Sequence, residues 1–216
     1  ENRLNPYPDD DYNLATDSLL AFLWACTKGL PGWILALMLL TALIGVYESL
    51  LFAWIGDIVN WLGHYTPATL WAEKSQALLG MAAVLLLSPA VVALSALIKF
   101  QTLQGVFPMQ MRWRFHRQML GQSMQFYQDE FSGRVSAKVM QTALAVRETI
   151  MTITDMVVYV LVYFISSGVI LFNFDGWLLL PFSGWLLLFM AIIADFIPKL
   201  KDAASRQADA RALMTG

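Results

Sequence analysis

Long apolar runs separated by short polar stretches are the main pattern of the chain. A transmembrane helix needs about 20 mostly apolar residues, because each residue rises 1.5 Å across a hydrocarbon core of about 30 Å. Four runs meet this length, at residues 33–62, 77–98, 150–172 and 177–197. The pattern predicts an all-α fold, a polytopic transmembrane helical bundle.

A shorter apolar segment precedes the first run. Residues 17–31 predict an amphipathic elbow helix along the membrane surface, with Asp17 as its N-cap and a Gly-Leu-Pro break at its end. The alternative is a loose amphipathic leader. Residues 1–16 form a polar, acidic tail without the basic start and cleavage site of a secretory signal, so the first run is expected to be retained.

Composition indicates the solvent of the chain, and the distribution of charge predicts its orientation in the membrane. The chain is 58% hydrophobic and 14% charged, whereas globular proteins are about half apolar and about a quarter charged, so lipid is the expected solvent. Of the 14 lysines and arginines, only Lys74 lies in the loops at residues 63–76 and 173–176. Because cytoplasmic loops carry the basic excess, both termini and residues 99–149 are predicted to be cytoplasmic, in a plasma or inner membrane.

The basic stretch at residues 99–149 keeps a helical pattern beyond the membrane. It predicts two long helices that extend about 40 Å and about 24 Å into the cytoplasm. Their tip at residues 126–133 reads FYQDEFSG, with Gly133 expected to supply the backbone freedom for the reversal. Exposed aromatics at a tip indicate a docking surface; the alternative is that they pack only against each other.

Acidic residues within the apolar runs are candidates for function, because charges in hydrocarbon usually face a bundle interior or a cavity. Glu48 and Asp155 are the candidate cavity residues. For Glu48 the alternative is a structural hydrogen bond or snorkelling. Asp155 and Asp195 lie near the cytoplasmic ends of their runs, where solvated or paired end charges are the alternative.

Several kinds of chemistry have no motif in this chain. There is no Gly-x4-Gly-Lys-Ser/Thr phosphate loop, no histidine-glutamate zinc helix and no Gly-x-Ser-x-Gly elbow. A single cysteine, Cys26, excludes an intrachain disulfide and a cysteine-cluster metal site. We therefore expect no catalytic residue, metal or cofactor in this segment. The basic helix around Trp113 is interpreted as an ordinary positive-inside helix rather than a nucleic-acid site.

The run from Met119 through FYQDEFSGRVSAKVMQ to Arg147 resembles the first intracellular loop of the ATP-binding cassette (ABC) exporters. The shared pattern is a basic helix, an aromatic pair with an acid, a glycine, and a helix of small and basic residues. The matching residues are Phe126, Tyr127, Asp129, Gly133, Arg134 and Lys138. Gln141 departs from the pattern, which usually has an aspartate there. Residues 205–216 are similar to the family's descent into its second loop.

The resemblance implies that residues 32–216 are part of a six-span, type IV exporter domain, so the natural protein is expected to continue beyond Gly216. It implies a second transmembrane protomer, as homo- or heterodimer, and a nucleotide-binding domain, fused or separate, that binds ATP and Mg. A coupling helix at the loop tip would sit in that domain. The residues this assigns to coupling are Phe126, Tyr127, Gln128, Asp129, Glu130, Phe131, Gly133 and Arg134.

The function implied is outward movement of a hydrophobic or amphipathic substrate by alternating access, driven by ATP hydrolysis in the full-length protein. Two alternatives remain open. One is an ATP-independent membrane scaffold or receptor with a cytoplasmic docking hairpin. The other is a secondary transporter that uses Glu48 and Asp155 for ion coupling.

Overall fold

A computed structural model describes residues 5–9, 18–125 and 132–215 of the chain. Every regular element in this described part is helical. Four stretches are long and apolar enough to cross a membrane, at Pro31–His64, Pro67–Leu120, Lys138–Phe174 and Gly176–Gln207. The predicted all-α fold with four membrane-length helices is therefore confirmed.

The N-cap of the first helix, α1 (Leu19–Cys26), is Ser18 and not the predicted Asp17. The backbone of Ser18 is extended, and its hydroxyl accepts a hydrogen bond from the Ala21 N–H at 3.1 Å, which satisfies a donor that the first turn would leave free. The prediction of Asp17 as N-cap was therefore wrong by one residue, and Asp17 itself lies outside the described residues.

A tight turn separates α1 from the first membrane-length helix. Gly29 has a φ of +97° in this turn, a conformation that glycine adopts without the steric cost that a Cβ would bring. Helix α2 (Pro31–His64) then starts on a proline, whose fixed φ suits the first helical position. The predicted break at Gly-Leu-Pro is confirmed.

Helix α3 (Pro67–Ile98) packs against α2 as a helical hairpin. A capping box formed by Thr66 and Thr69 starts it, with the Thr66 N–H donating to Thr69 Oγ1 at 3.0 Å. The helix begins ten residues before the apolar run that predicted it, because these caps and the proline at its first position favour an earlier start.

Both arms of the long hairpin are continuous with membrane-length helices, as predicted. Helix α3 passes through a π-helical segment, Lys99–Val106, into α4 (Phe107–Leu120). On the return, α5 (Ser132–Met151) passes through a second π-helical segment, Thr152–Val157, into α6 (Val158–Phe174).

Residues 126–131, most of the predicted tip, lie outside the described part. Gly133 was predicted to give the backbone freedom for this turn. The structure corrects this prediction, because α5 already begins at Ser132 and Gly133 is helical.

A packed hydrophobic core lies where α1, the start of α2, α4 and α5 meet, within the unit formed by residues 1–164. Phe22 of α1 stacks on Phe115 of α4, with ring centroids 6.5 Å apart. We call this the junction core. It contains Leu23, Cys26, Leu30, Leu37, Leu103, Phe107, Met111, Phe115, Ala143, Val146 and Ile150.

Residues 165–216 form a second unit. The Asp175 side chain accepts from the Trp177 N–H at 3.0 Å and caps a short 3₁₀ turn, Gly176–Leu178. Helix α7 (Leu179–Thr215) follows, and on it Lys199 pairs with Asp195 one turn away at 2.6 Å.

Candidate functional site

Small side chains on α2 let another helix approach closely. Thr41, Gly45 and Ser49 recur every fourth residue and are all buried, which places them on one face of the helix. A Cβ on Gly45 would lie 3.5 Å from the Tyr159 carbonyl oxygen of α6, in van der Waals contact. This spacing of small residues is typical of closely packed membrane helices. The π-helical segment Thr152–Val157 runs directly into α6, and α2 packs against this continuous stretch. We call this contact the polar seam.

The lower level of the polar seam, at Thr41 and nearer the start of α2, holds an ion pair that joins three helical segments. Asp155 accepts a hydrogen bond from Thr41 Oγ1 of α2 at 3.2 Å and pairs through its other oxygen with Lys99 Nζ. The two charged side chains are 28% and 33% exposed. One carboxylate therefore links the first membrane-length helix to the second and the third.

Both members of this pair lie in π-helical segments. Lys99 is the first residue of one segment and Asp155 lies within the other. In the first segment the hydrogen bonding is widened, with the Phe107 N–H bonded to the Thr102 carbonyl five residues back. Such segments are rare and occur frequently at functional sites.

The upper level of the polar seam, at Glu48 and farther along α2, contains a carboxyl group whose partner is a hydroxyl and not a lysine. Glu48 is half-buried, and one of its oxygens accepts a hydrogen bond from the Tyr159 hydroxyl. The Tyr159 ring stacks on Tyr163, with centroids 5.8 Å apart and planes inclined by 19°. Across the described ranges, no lysine, arginine or histidine forms an ion pair with Glu48. Glu48 and Thr41 are seven positions apart, about 10 Å along α2.

The structure thus brings both candidate cavity residues, Glu48 and Asp155, to one seam but at different levels. Asp155 has the paired end charge that was its alternative interpretation. Asp195 is likewise paired, within the second unit. Sequence reasoning did not single out Lys99, Tyr159 or the small residues of α2. The Thr-x3-Gly-x3-Ser spacing was the available signal for the last of these.

Most of the predicted coupling residues lie outside the part of the chain that the structure describes. Phe126, Tyr127, Gln128, Asp129, Glu130 and Phe131 lie outside the described residues. Gly133 and Arg134 lie in the first turn of α5, of which the backbone alone is described. Their coupling role stays a prediction.

The N-terminal residues 5–9 lie along α4, and we call them the N-terminal strap. Gln110 Nε2 donates to the Asn5 carbonyl at 2.8 Å, and Trp113 Nε1 donates to the Pro8 carbonyl at 3.1 Å. Tyr7 meets the Trp113 ring edge-on at 5.4 Å. The basic helix around Trp113 therefore uses part of its polar surface within the chain.

Comparison with known proteins finds a relative that is similar over the whole chain. A Haemophilus influenzae (strain ATCC 51907 / DSM 11121 / KW20 / Rd) protein named "Uncharacterized ABC transporter ATP-binding protein" is 57% identical over 216 residues, which is 100% of this chain. The chain spans 35% of that relative's length. No protein-family model matches the chain, and no solved structure matches it.

Proposed function

We propose that the chain is the first part of the transmembrane domain of an ABC exporter, which moves a hydrophobic or amphipathic substrate outward by alternating access. The observation that carries this proposal is the 57% identity, over the whole chain, to a protein named as an ABC transporter. The four membrane-length helices support a membrane-embedded role for this part. The basic residues favour cytoplasmic termini and a cytoplasmic hairpin.

In this proposal the hairpin of α4 and α5 is the lever that connects the membrane to a nucleotide-binding domain. Each arm runs without a break into a membrane-length helix. The junction core packs α1 and the start of α2 against both arms. Because packed elements switch between discrete arrangements, a displacement at the tip would rearrange several helices together.

The test replaces the aromatic pair at the tip, Phe126→Ala with Tyr127→Ala, in the full-length transporter reconstituted in nanodiscs. Aromatic anchors dominate docking energies, so we expect substrate-stimulated ATP hydrolysis and transport to fall about tenfold or more. ATP affinity of the nucleotide-binding domain should be retained, because the changes lie outside it.

The matched control is Trp71→Ala with Phe174→Ala, two exposed aromatics in the loops predicted to lie on the other side of the membrane. We expect this control to keep coupled hydrolysis near the wild-type rate. Full transport by the tip variant would contradict the coupling role. Transport driven by an imposed proton gradient without ATP would instead support the ion-coupled alternative.

A further inference from the structure

We propose that Glu48, Tyr159 and Tyr163 form a recognition site for lipophilic organic cations in the upper level of the polar seam. This inference rests on the proposed export function, for which it supplies the substrate class. The juxtaposition that carries it is a half-buried carboxylate held by one tyrosine whose ring stacks on a second.

The acids within the apolar runs differ in whether a lysine pairs with them. Asp155 is paired with Lys99, and Asp195 is paired with Lys199. Asp57 is exposed near the end of α2. Glu48 differs because its hydrogen-bond partner among the described residues is the hydroxyl of Tyr159, which orients the carboxyl group and supplies no positive charge.

A carboxylate far from water in an apolar helix is unfavourable unless a positive group approaches it. Lys99 lies at the lower level, where Asp155 already neutralises it. A ligand that brings its own positive charge to Glu48 would therefore gain an attraction that water weakens much less than at the surface.

Metal ions such as Mg²⁺ and Ca²⁺ require six or more oxygen ligands, whereas the side chains of this site offer one carboxylate and two tyrosine hydroxyls. Two stacked tyrosine rings beside a carboxylate suit a weakly hydrated organic cation, which gains cation–π attraction as well as charge pairing. Since the site lies within an apolar stretch, the rest of the ligand should be apolar.

The experiment measures binding of tetraphenylphosphonium to the full-length transporter in nanodiscs of neutral lipid, by equilibrium dialysis without nucleotide. Tetraphenylborate has nearly the same shape and the opposite charge, so it reports apolar binding alone. We expect the wild type to bind the cation at least about tenfold more tightly than the anion, after subtraction of empty nanodiscs.

Glu48→Gln keeps an acceptor for the Tyr159 hydroxyl and removes the charge. It should abolish the preference for the cation while leaving tetraphenylborate binding unchanged or stronger. Tyr159→Phe, which keeps the ring and frees the carboxylate, should retain part of the preference. Asp57→Asn, the same type of change on the same helix, should leave the preference at the wild-type value.

Equal binding of the two ions by the wild type, or an undiminished cation preference in Glu48→Gln, would overturn the inference. ATP hydrolysis by the same wild-type preparation is measured in parallel. Hydrolysis without cation preference would defeat this inference and leave the exporter function standing. Cation preference without any hydrolysis would defeat the exporter function and leave the binding site standing.

Discussion

Two carboxylates of the polar seam, Asp155 and Glu48, receive different partners. Asp155 gains a lysine and a threonine, so its charge is balanced within the chain. Glu48 gains a tyrosine hydroxyl, which is neutral and supplies no positive charge. An ion pair that is neither fully buried nor fully exposed should stabilise the fold by an amount between the surface and interior limits, about 1–3 kcal/mol.

The Lys99–Asp155 pair can be measured with a double-mutant cycle of Lys99→Met and Asp155→Asn. We expect each single change to lower the free energy of unfolding. The loss in the double variant should be smaller than the sum of the two single losses by about 1 kcal/mol or more. Lys199→Met with Asp195→Asn is the control, because that pair is 67% and 60% exposed and should be additive within about 0.5 kcal/mol. Chemical unfolding in detergent gives the free energies, and additivity at Lys99 and Asp155 would refute the coupling.

Sequence reasoning could find the acids of the polar seam but not their partners. A charge inside an apolar run is visible in the sequence alone, and this singled out Glu48 and Asp155. Their partners depend on which helix faces come together: Thr41 and Asp155 are 114 positions apart, and Glu48 and Tyr159 are 111 apart. In the sequence, Lys99 contributes only to the basic charge that orients the chain, because no local pattern indicates its contact with Asp155.

At the scale of elements, the helices were predictable and their irregularities were not. Apolar length predicted α2, α3, α6 and α7 because lipid imposes a minimum span. The two π-helical segments have no signal in residue spacing, since i→i+5 bonding is decided by how the helices pack. The cap of α1 was misplaced by one residue because Asp17 and Ser18 are both good capping residues.

The N-terminal strap lies along α4 and should stabilise that helix. The substitution Trp113→Ala tests this. The change removes both a hydrogen bond to Pro8 and the ring contact with Tyr7, so we expect a loss of about 1–3 kcal/mol in unfolding free energy. Trp177→Ala is the control, since Trp177 is 77% exposed and should change stability by less than about 0.5 kcal/mol.

Deletion of residues 1–9 separates the strap from other roles of Trp113. In the deleted chain the contacts are already absent, so Trp113→Ala should then cost much less than in the intact chain. An equal cost in both backgrounds would show that Trp113 does not act through the strap.

At the scale of the whole molecule, the fully buried apolar residues that the structure describes gather in the junction core. Many large apolar side chains on the membrane-length helices are exposed, as lipid contact requires. The junction core draws Leu23, Leu37, Phe107 and Ile150 from four separate elements. No local pattern marks such a set, which is why the sequence predicted the hairpin and the elbow without predicting that they pack together.

Phe107→Ala should destabilise the junction core strongly, because Phe107 is fully buried. Loss of a buried phenylalanine leaves a cavity that costs about 3–5 kcal/mol. Phe100→Ala is the control in the adjoining π-helical segment, where the side chain is 56% exposed and the expected cost in detergent is below about 1 kcal/mol. Similar costs for the two variants, measured by thermal unfolding, would contradict the position assigned to the core.

The junction core also orders events during synthesis. Cys26 and Leu30 leave the ribosome long before Val146, a member of the same core that is encoded about 120 residues later. At a translation rate of about 5–20 residues per second, the buried face of α1 is synthesised about 6–24 s before Val146. Leu19, Leu20 and Trp24 remain exposed on the finished helix. They give the nascent segment an apolar surface with which to rest on the bilayer until α5 arrives.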